Sequence, residues 1–239
     1  MWLFVAIAFH HQLKSKWIPA CAGMTVRKKM APNNMPTLTF TLKTKLAFKL
    51  DCGRLTPNNL AGLSLTQIQN LSLLNSKNSP IVSDYFEVSG SDTENIIFTN
   101  SSKQLDFIGQ KMSFGSIICQ GDVGDRVGDQ MRRGLILIDG DAGDYLASRM
   151  VAGTIGVYGS VGKYTGFAMK RGTILLNNQA DLHATIQDCG THNLAFLALL
   201  FHSFKPFSTK FNQIKTTRAQ RFAGDLACNG NGEILVFQA

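Results

Sequence analysis

The chain has 239 residues, 44% hydrophobic and 17% charged, which allows a real core and excludes a disordered polymer. Its formal charge of +8 would suit nucleic acid or an anionic membrane, but residues 1–34 supply +5 of it through Lys14, Lys16, Arg27, Lys28 and Lys29, with no acid. The rest is nearly balanced, so neither partner class is expected. The apolar run over residues 1–9 is too short to span a bilayer, which takes about 20 residues, and it lacks the basic start of a signal peptide. Residues 15–25 read like a translated bacterial intergenic repeat. Translation is therefore expected to begin at Met35, with Met30 as the alternative, and residues 1–34 are expected to be a non-native extension.

Residues 35–108 read as an N-terminal cap and a decayed first rung. Thr56-Pro57 offers an N-cap followed by a first-turn proline, and Ser64-x-x-Gln67 is a capping-box pattern opening a helix over residues 65–74. In the decayed rung, Phe98 is expected in the column of the later isoleucines, Ile108 in that of Val127 and Gly109 in that of Gly128.

Residues 109–178 form a repeat. Met112, Met131, Met150 and Met169 recur every 19 residues. Gly115, Gly134, Gly153 and Gly172 keep that spacing three positions later, and Ile117, Ile136, Ile155 and Ile174 two positions after that. Cys119, Ile138, Val157 and Leu176 make a further column, and turn glycines follow at Gly121, Gly140 and Gly159, then Gly124, Gly143 and Gly162. Gly128, Ala147 and Gly166 complete the unit. Of 22 glycines, 14 fall in residues 109–172, which is what several tight turns per unit require. Each unit is a short alternating strand plus glycine-punctuated turns, with Ser116, Leu135, Thr154 and Thr173, then Gln120, Asp139, Tyr158 and Asn177, on the face away from the isoleucines. One unit cannot bury its own Met and Ile side chains, whereas stacked units bury a continuous core. The expected fold is all-β dominated: a right-handed parallel β-helix with 19-residue rungs, flanked by small α/β capping segments. Its inward structural ladders are the Met, Gly and Ile columns, and Asp139 is expected to be a dispensable outward residue.

Residues 179–239 read as a C-terminal cap. Residues 191–204 are apolar nearly all round, which predicts a helix buried against the last rung, and Glu233–Phe237 is expected as a closing strand. The cysteines, Cys21, Cys52, Cys119, Cys189 and Cys228, are odd in number, widely spaced and lack a Cys-x-x-Cys pair, so reduced thiols and a cytoplasmic location are expected.

No catalytic, cofactor or metal residue is assigned. Gly121-Asp122-Val123-Gly124-Asp125 resembles a phosphate cradle, but a strand rather than a helix follows. Asp122, Asp125, Asp141 and Asp144 suggest calcium-binding nonapeptide repeats, yet the period is 19 and Ser160 and Lys163 replace them later, so turn-capping aspartates are the better reading. Cys189 and His192 are two ligand-type residues where zinc needs three or four, with His183 and Cys228 the only completions; a Cys-His nucleophile is the weaker alternative. Arg132, Arg133, Lys170 and Arg171 flank the Met and Gly columns as a solvated basic rim.

These residues also carry a family resemblance. Leu55-Thr56-Pro57 with Leu60-Ala61-Gly62-Leu63-Ser64, the repeats over residues 121–131 and 140–150, Asp188-Cys189-Gly190-x-His192, Phe196-Leu197-Ala198-Leu199-Leu200, and Arg221-x-x-Gly224-Asp225-Leu226-Ala227 with Gly232-Glu233-Ile234-Leu235 resemble the C subunit of the formyltransferase/hydrolase complex, the bacterial relative of the C subunit of formylmethanofuran dehydrogenase. The resemblance runs from Met35 to the C-terminus, with a repeat array shortened between Gly124 and Asp125. It implies a noncatalytic scaffold subunit in tetrahydromethanopterin-linked one-carbon oxidation. Formyltransferase and amidohydrolase-like partner subunits would pass a formyl group from formyl-tetrahydromethanopterin to a methanofuran-type carrier and release formate, so this chain would hold no cofactor itself. A glutamate-synthase-type β-helix domain shares only the repeats and would need fused glutaminase and flavin domains. A free-standing carbohydrate-active β-helix enzyme would need an acidic catalytic ladder, which the columns lack.

Overall fold

The computed structural model describes residues 36–74 and 79–237, so the expected start at Met35 and the extension before it lie outside the described residues. The strands are β1 (Thr37–Leu42), β2 (Leu50–Asp51), β3 (Phe86–Ser89), β4 (Asp92–Ser101), β5 (Leu105–Asp106), β6 (Ser116–Gly121), β7 (Leu135–Ile138), β8 (Thr154–Val157), β9 (Thr173–Leu176), β10 (Asp188–Asn193), β11 (Arg218–Ala223) and β12 (Glu233–Phe237). Short helices α1 (Pro57–Leu60), α2 (Leu65–Gln69) and α3 (Val82–Tyr85) lie in the N-terminal segment, and α4 (Phe196–Phe204) lies near the C-terminus. Ten strands make one sheet in the order β10-β11-β12-β9-β8-β7-β6-β4-β1-β3, and β2 pairs with β5 in a second. Pairing is parallel from β1 to β12 through the centre and antiparallel only at the two ends.

The 19-residue period is the register of the sheet. Ile117, Ile136, Ile155 and Ile174 are successive Cα partners, as are Cys119, Ile138, Val157 and Leu176. Upstream the offset is different: Ile96 pairs with Ile117, and Phe98 with Cys119, so Phe98 is not in the isoleucine column. An irregularity between Thr99 and Ser101 absorbs one of the two extra residues, Ser101 pairing with Gly121, and the loop before β5 absorbs the other. Beyond it the expected register returns, and the Gly128 amide donates to the Ile108 carbonyl.

The strand expected to close the molecule does not sit at the rim. β12 continues the ladders, with Ile234 beside Ile174 and Val236 beside Leu176, and β11 and β10 follow. Burial explains the order. β12 is apolar and buried at four of its five positions, whereas every residue of β10 is exposed, so the polar strand takes the edge.

Two buried faces replace the one expected. The isoleucine and methionine columns point into one core, but Leu135, Leu137 and Leu175 on the opposite face are buried as well. Strands reading Leu-Ile-Leu-Ile and Thr-Ile-Leu-Leu are apolar at consecutive positions, as strands covered on both sides are. The cover is α4 together with a 3₁₀ turn over Lys210–Gln213: Leu197, Leu200, Phe201, Phe204 and Phe211 cluster with Ile118, Leu137 and Leu175. The helix expected over residues 191–204 is therefore shorter and differently placed. Thr191, His192 and Asn193 pair with β11, and the helix that follows lies along the flank of the sheet.

The N-terminal helices are also shorter than their signals suggest. Thr56 and Pro57 open α1, but the Thr56 hydroxyl makes no capping bond and is buried without a partner. The capping box of α2 forms, the Ser64 hydroxyl accepting from the Gln67 amide at 3.3 Å and the Gln67 side chain accepting from the Ser64 amide at 2.8 Å. This helix stops at Gln69, not residue 74, because Leu71 and Leu73 turn to exchange backbone bonds with Val82 and Pro80.

Candidate functional site

The columns assigned from sequence come together as contiguous ladders. Met112, Met131, Met150 and Met169 are fully buried, and so are Ile117, Ile136, Ile155 and Ile174. The glycine column exists for the methionine column. A Cβ on Gly134 would lie 2.7 Å from the Met112 methyl, and one on Gly153 would lie 2.8 Å from that of Met131, both at φ above +100°. Each methionine thus extends under the glycine of the following unit, where only a missing side chain leaves room.

The turn aspartates cap, but they cap the next unit and not their own. The Asp122 carboxylate accepts from the Asp141 amide at 2.9 Å and Asp141 from the Ser160 amide at 2.9 Å. A parallel row links Asp106 to the Asp125 amide, Asp125 to Asp144 and Asp144 to Lys163, at 2.8 to 2.9 Å. Two lysines brace these rows across the stack: Lys49 Nζ lies 3.0 Å from Asp106 and 3.2 Å from Asp125, and Lys103 Nζ lies 2.9 Å from Asp141. The Ser160 amide, and then Lys103, hold the Asp141 carboxyl below its usual range. The acids are thus committed to backbone and lysine.

Asp139 is not the free outward residue expected. Its carboxylate accepts from the Thr209 hydroxyl at 2.6 Å and from the Lys210 amide at 2.9 Å, anchoring the 3₁₀ turn that carries Phe211 onto the sheet.

Two further carboxylates escape sequence reading. Asp129 is fully buried and takes a bidentate contact from Arg149, with Nη2 2.9 Å from each oxygen, plus bonds from Gln110 and Gln130. Its column also contains Gln110, Ser148 and Phe167, so no periodicity marks it. Asp225, also buried, accepts from the Ala168 amide at 2.7 Å and the Ala227 amide at 3.0 Å, tying the C-terminal segment to the last repeat. Burial pulls its pKa up, but the Thr185 hydroxyl, those amides and the charge of His183 outweigh this and leave it lowered.

Cys189 and His192 lie together on exposed β10 without forming a nucleophilic pair. The His192 Nε2 is 2.8 Å from the Cys189 carbonyl oxygen, and the thiol instead faces the Gln187 carbonyl. His183 bonds Thr185 through Nδ1, and among the described residues no group of three or more His, Cys, Asp or Glu could hold a metal ion. Cys52 and Cys119 are buried, which pushes both thiols up and makes them inert. Arg132, Arg133, Lys170 and Arg171 are exposed, and Arg132 borders a cleft shared with Arg54, Lys111 and Asn58. Among the described residues no helix is long and apolar enough to cross a membrane.

No family model matches the chain. It is similar to the C subunit of the formyltransferase/hydrolase complex Fhc of Methylorubrum extorquens, 33% identical over 89 residues, 37% of this chain and 34% of the relative. It is also 28% identical over 92 residues to the C subunit of tungsten-containing formylmethanofuran dehydrogenase 2 of Methanococcus maripaludis, 38% of this chain and 34% of that one. The match thus spans about a third of the length of each curated relative. Among solved structures, the crystal structure of the FhcABCD complex from Methylorubrum extorquens with methylofuran contains a chain 25% identical at a TM-score of 0.50, over 84% of this chain and all of that one.

Proposed function

We propose that this chain, similar to the C subunit of the formyltransferase/hydrolase complex, is the noncatalytic scaffold subunit of such a complex. Its partners are a formyltransferase subunit and an amidohydrolase-like subunit, and the assembly converts formyl-tetrahydromethanopterin to formate in the cytoplasm, using a methanofuran-type carrier. The chain binds neither carrier itself. Its architecture in this reading is a right-handed parallel β-helix with 19-residue rungs over residues 109–178, a cap and decayed rung over residues 35–108, and a closing cap over residues 179–239. The repeat array is shorter than in its relatives.

The observation that carries the reading is a likeness running the full length of a chain of FhcABCD, together with the sequence match to the C subunit. The disposition of the polar residues supports the noncatalytic role. The turn acids are bonded to amides and lysines, and the Cys189 thiol does not face the His192 ring. A general base or nucleophile must instead reach a reacting atom.

The test is affinity purification of the tagged chain from its native cell, with partner identification and a formyl-transfer and hydrolysis assay. The co-purified complex should turn over and the isolated chain should not. Turnover that survives removal of every partner and is lost on changing Cys189 or His192 would refute the scaffold role.

A further inference from the structure

We infer that a stripe of side chains formed by Phe107, Arg126, Tyr145, Tyr164 and Phe167 is the surface on which a partner subunit docks, and that the docking face of that partner is apolar and bears carboxylates. This rests on the subunit reading above and adds to it where the contact lies.

The first observation is backbone strain. Phe107, Arg126, Tyr145 and Tyr164 recur at the 19-residue period, and all four adopt left-handed backbone, with φ of 59° to 60°. Such positions favour glycine or asparagine, because a Cβ crowds the following carbonyl. The column of Lys111, Gln130, Arg149 and Ala168 is left-handed too, at 55° to 57°, and what sets the first column apart is that three of its four side chains are aromatic rings.

The second observation is that burial recovers only part of the cost of this strain, Phe107, Arg126 and Tyr145 being half-buried and Tyr164 exposed. None of the four joins either hydrophobic core, and the stripe ends in exposed apolar surface, with Tyr164 at 44% and Phe167 at 43% exposure. Leu226, 54% exposed, follows Asp225, whose carboxylate accepts from the Ala168 amide next to Phe167. The rings are organised among themselves: Tyr145 and Tyr164 stack at 4.9 Å, Phe167 meets both edge-on, and the Arg126 guanidinium lies 4.8 Å over Tyr145. A preordered surface of aromatic rings and arginine has the composition of interface hot spots, because little side-chain freedom remains to be lost on contact.

Charge selects the occupant. Arg126 and Lys163, which precedes Tyr164, enter no ion pair among the described residues, whereas Asp125 and Asp129 are paired with Lys49 and Arg149, so two unpaired cations stand against the one carboxylate of Asp144, which accepts from the Lys163 amide. The stripe therefore offers cations and apolar edges, which an apolar face with carboxylates complements.

The strain supplies the test. Tyr145→Gly/Tyr164→Gly removes two rings from the stripe while relieving the left-handed backbone. Tagged wild-type and variant chains are produced in the native cell alongside its own formyltransferase and hydrolase subunits. Partner recovery is measured by quantitative mass spectrometry, and thermal unfolding is measured on the isolated chains. The variant should keep or exceed the wild-type unfolding midpoint and recover at least about tenfold less partner. Arg126→Gln should weaken recovery and reduce its dependence on salt. Equal recovery by wild type and the glycine variant overturns the docking surface while leaving the subunit reading intact. A variant that unfolds shows that the stripe serves the fold and also overturns it. Loss of self-association alone would make the occupant a second copy and overturn it too. Failure of the wild-type chain to recover either subunit removes the subunit reading itself, and the docking surface with it.

Discussion

Within one unit, positions three residues apart carry different weights, and their surroundings set the difference. Ile136 is fully buried between Ile117 and Ile155, so Ile136→Asp must bury a carboxyl without a partner as well as give up about 2–3 kcal/mol of isoleucine burial. Loss of folding is expected, given total stabilities of about 5–15 kcal/mol. Asp139→Ala should cost about 1–2 kcal/mol, more than an ordinary surface change, because two donors on the Phe211 turn lose their acceptor. Chemical unfolding of both variants checks this, and a cost under about 0.3 kcal/mol for Asp139→Ala would show that the turn holds without it. A second pair separates strain from burial. Lys111 is exposed at φ 55°, so Lys111→Gly should stabilise by about 0.5–1 kcal/mol. Ala147, at φ 56° but fully buried, should be close to neutral on change to glycine, since the relief is offset by one lost methyl, about 0.8 kcal/mol. The two unfolding midpoints should therefore separate, with Lys111→Gly the higher.

Between elements, the decisive contact is the one that seats α4 and the 3₁₀ turn on the sheet. A Cβ at Gly156 would lie 2.7 Å from the Phe211 ring and 2.9 Å from the Leu137 side chain. Gly156→Val should therefore cost about 1–3 kcal/mol through overpacking. It should also speed proteolysis within residues 205–217, and protection unchanged from wild type would mean that Phe211 does not hold the cover. This flank also marks the limit of what sequence carries. The inner columns are legible because identical residues recur and must stack. The second core is not, since its outer half comes from Leu197, Phe204 and Phe211, which repeat nothing. Consecutive apolar residues in β7 and β9 are the available signal that both faces are covered. The aspartate rows are legible as caps, but which amide each one caps depends on the stacking of separate units. The left-handed aromatic column is equally periodic, but a column mixing Phe, Arg and Tyr carries no sign of left-handed backbone.

For the molecule as a whole, the carboxylates set the acid limit. Asp141 and Asp225 both have folded pKa values below the unfolded value of about 3.9, so the stability they contribute is fully present above that pH and is lost as pH falls through the folded values. The thermal midpoint should stay flat down to about pH 4 and fall below it. Asp225→Asn should begin less stable and lose less than wild type between about pH 4 and pH 2, and parallel curves would remove Asp225 from the account. At the other limit, Lys49 and Lys103 have raised values; for Lys49 burial acts the other way but is outweighed by Asp106 and Asp125, while for Lys103 the hydrogen bond to Asp141 is the main cause. Their contribution is complete below about pH 10.4 and is lost as pH rises through the folded values.

A stack of equal units has a translational ambiguity, because sliding one half by 19 residues would again set isoleucine against isoleucine and methionine under glycine. Asp129 and Arg149 break that symmetry. The column holding Arg149 reads Lys111, Gln130, Arg149 and Ala168, so a slip by one unit towards the C-terminus would set the buried Asp129 carboxylate against Ala168, with no cation in reach. An unpaired buried charge costs several kcal/mol, comparable with a large share of the stability of a domain. The pair therefore works as a key cut into an otherwise uniform stack, which that one-unit slip does not fit.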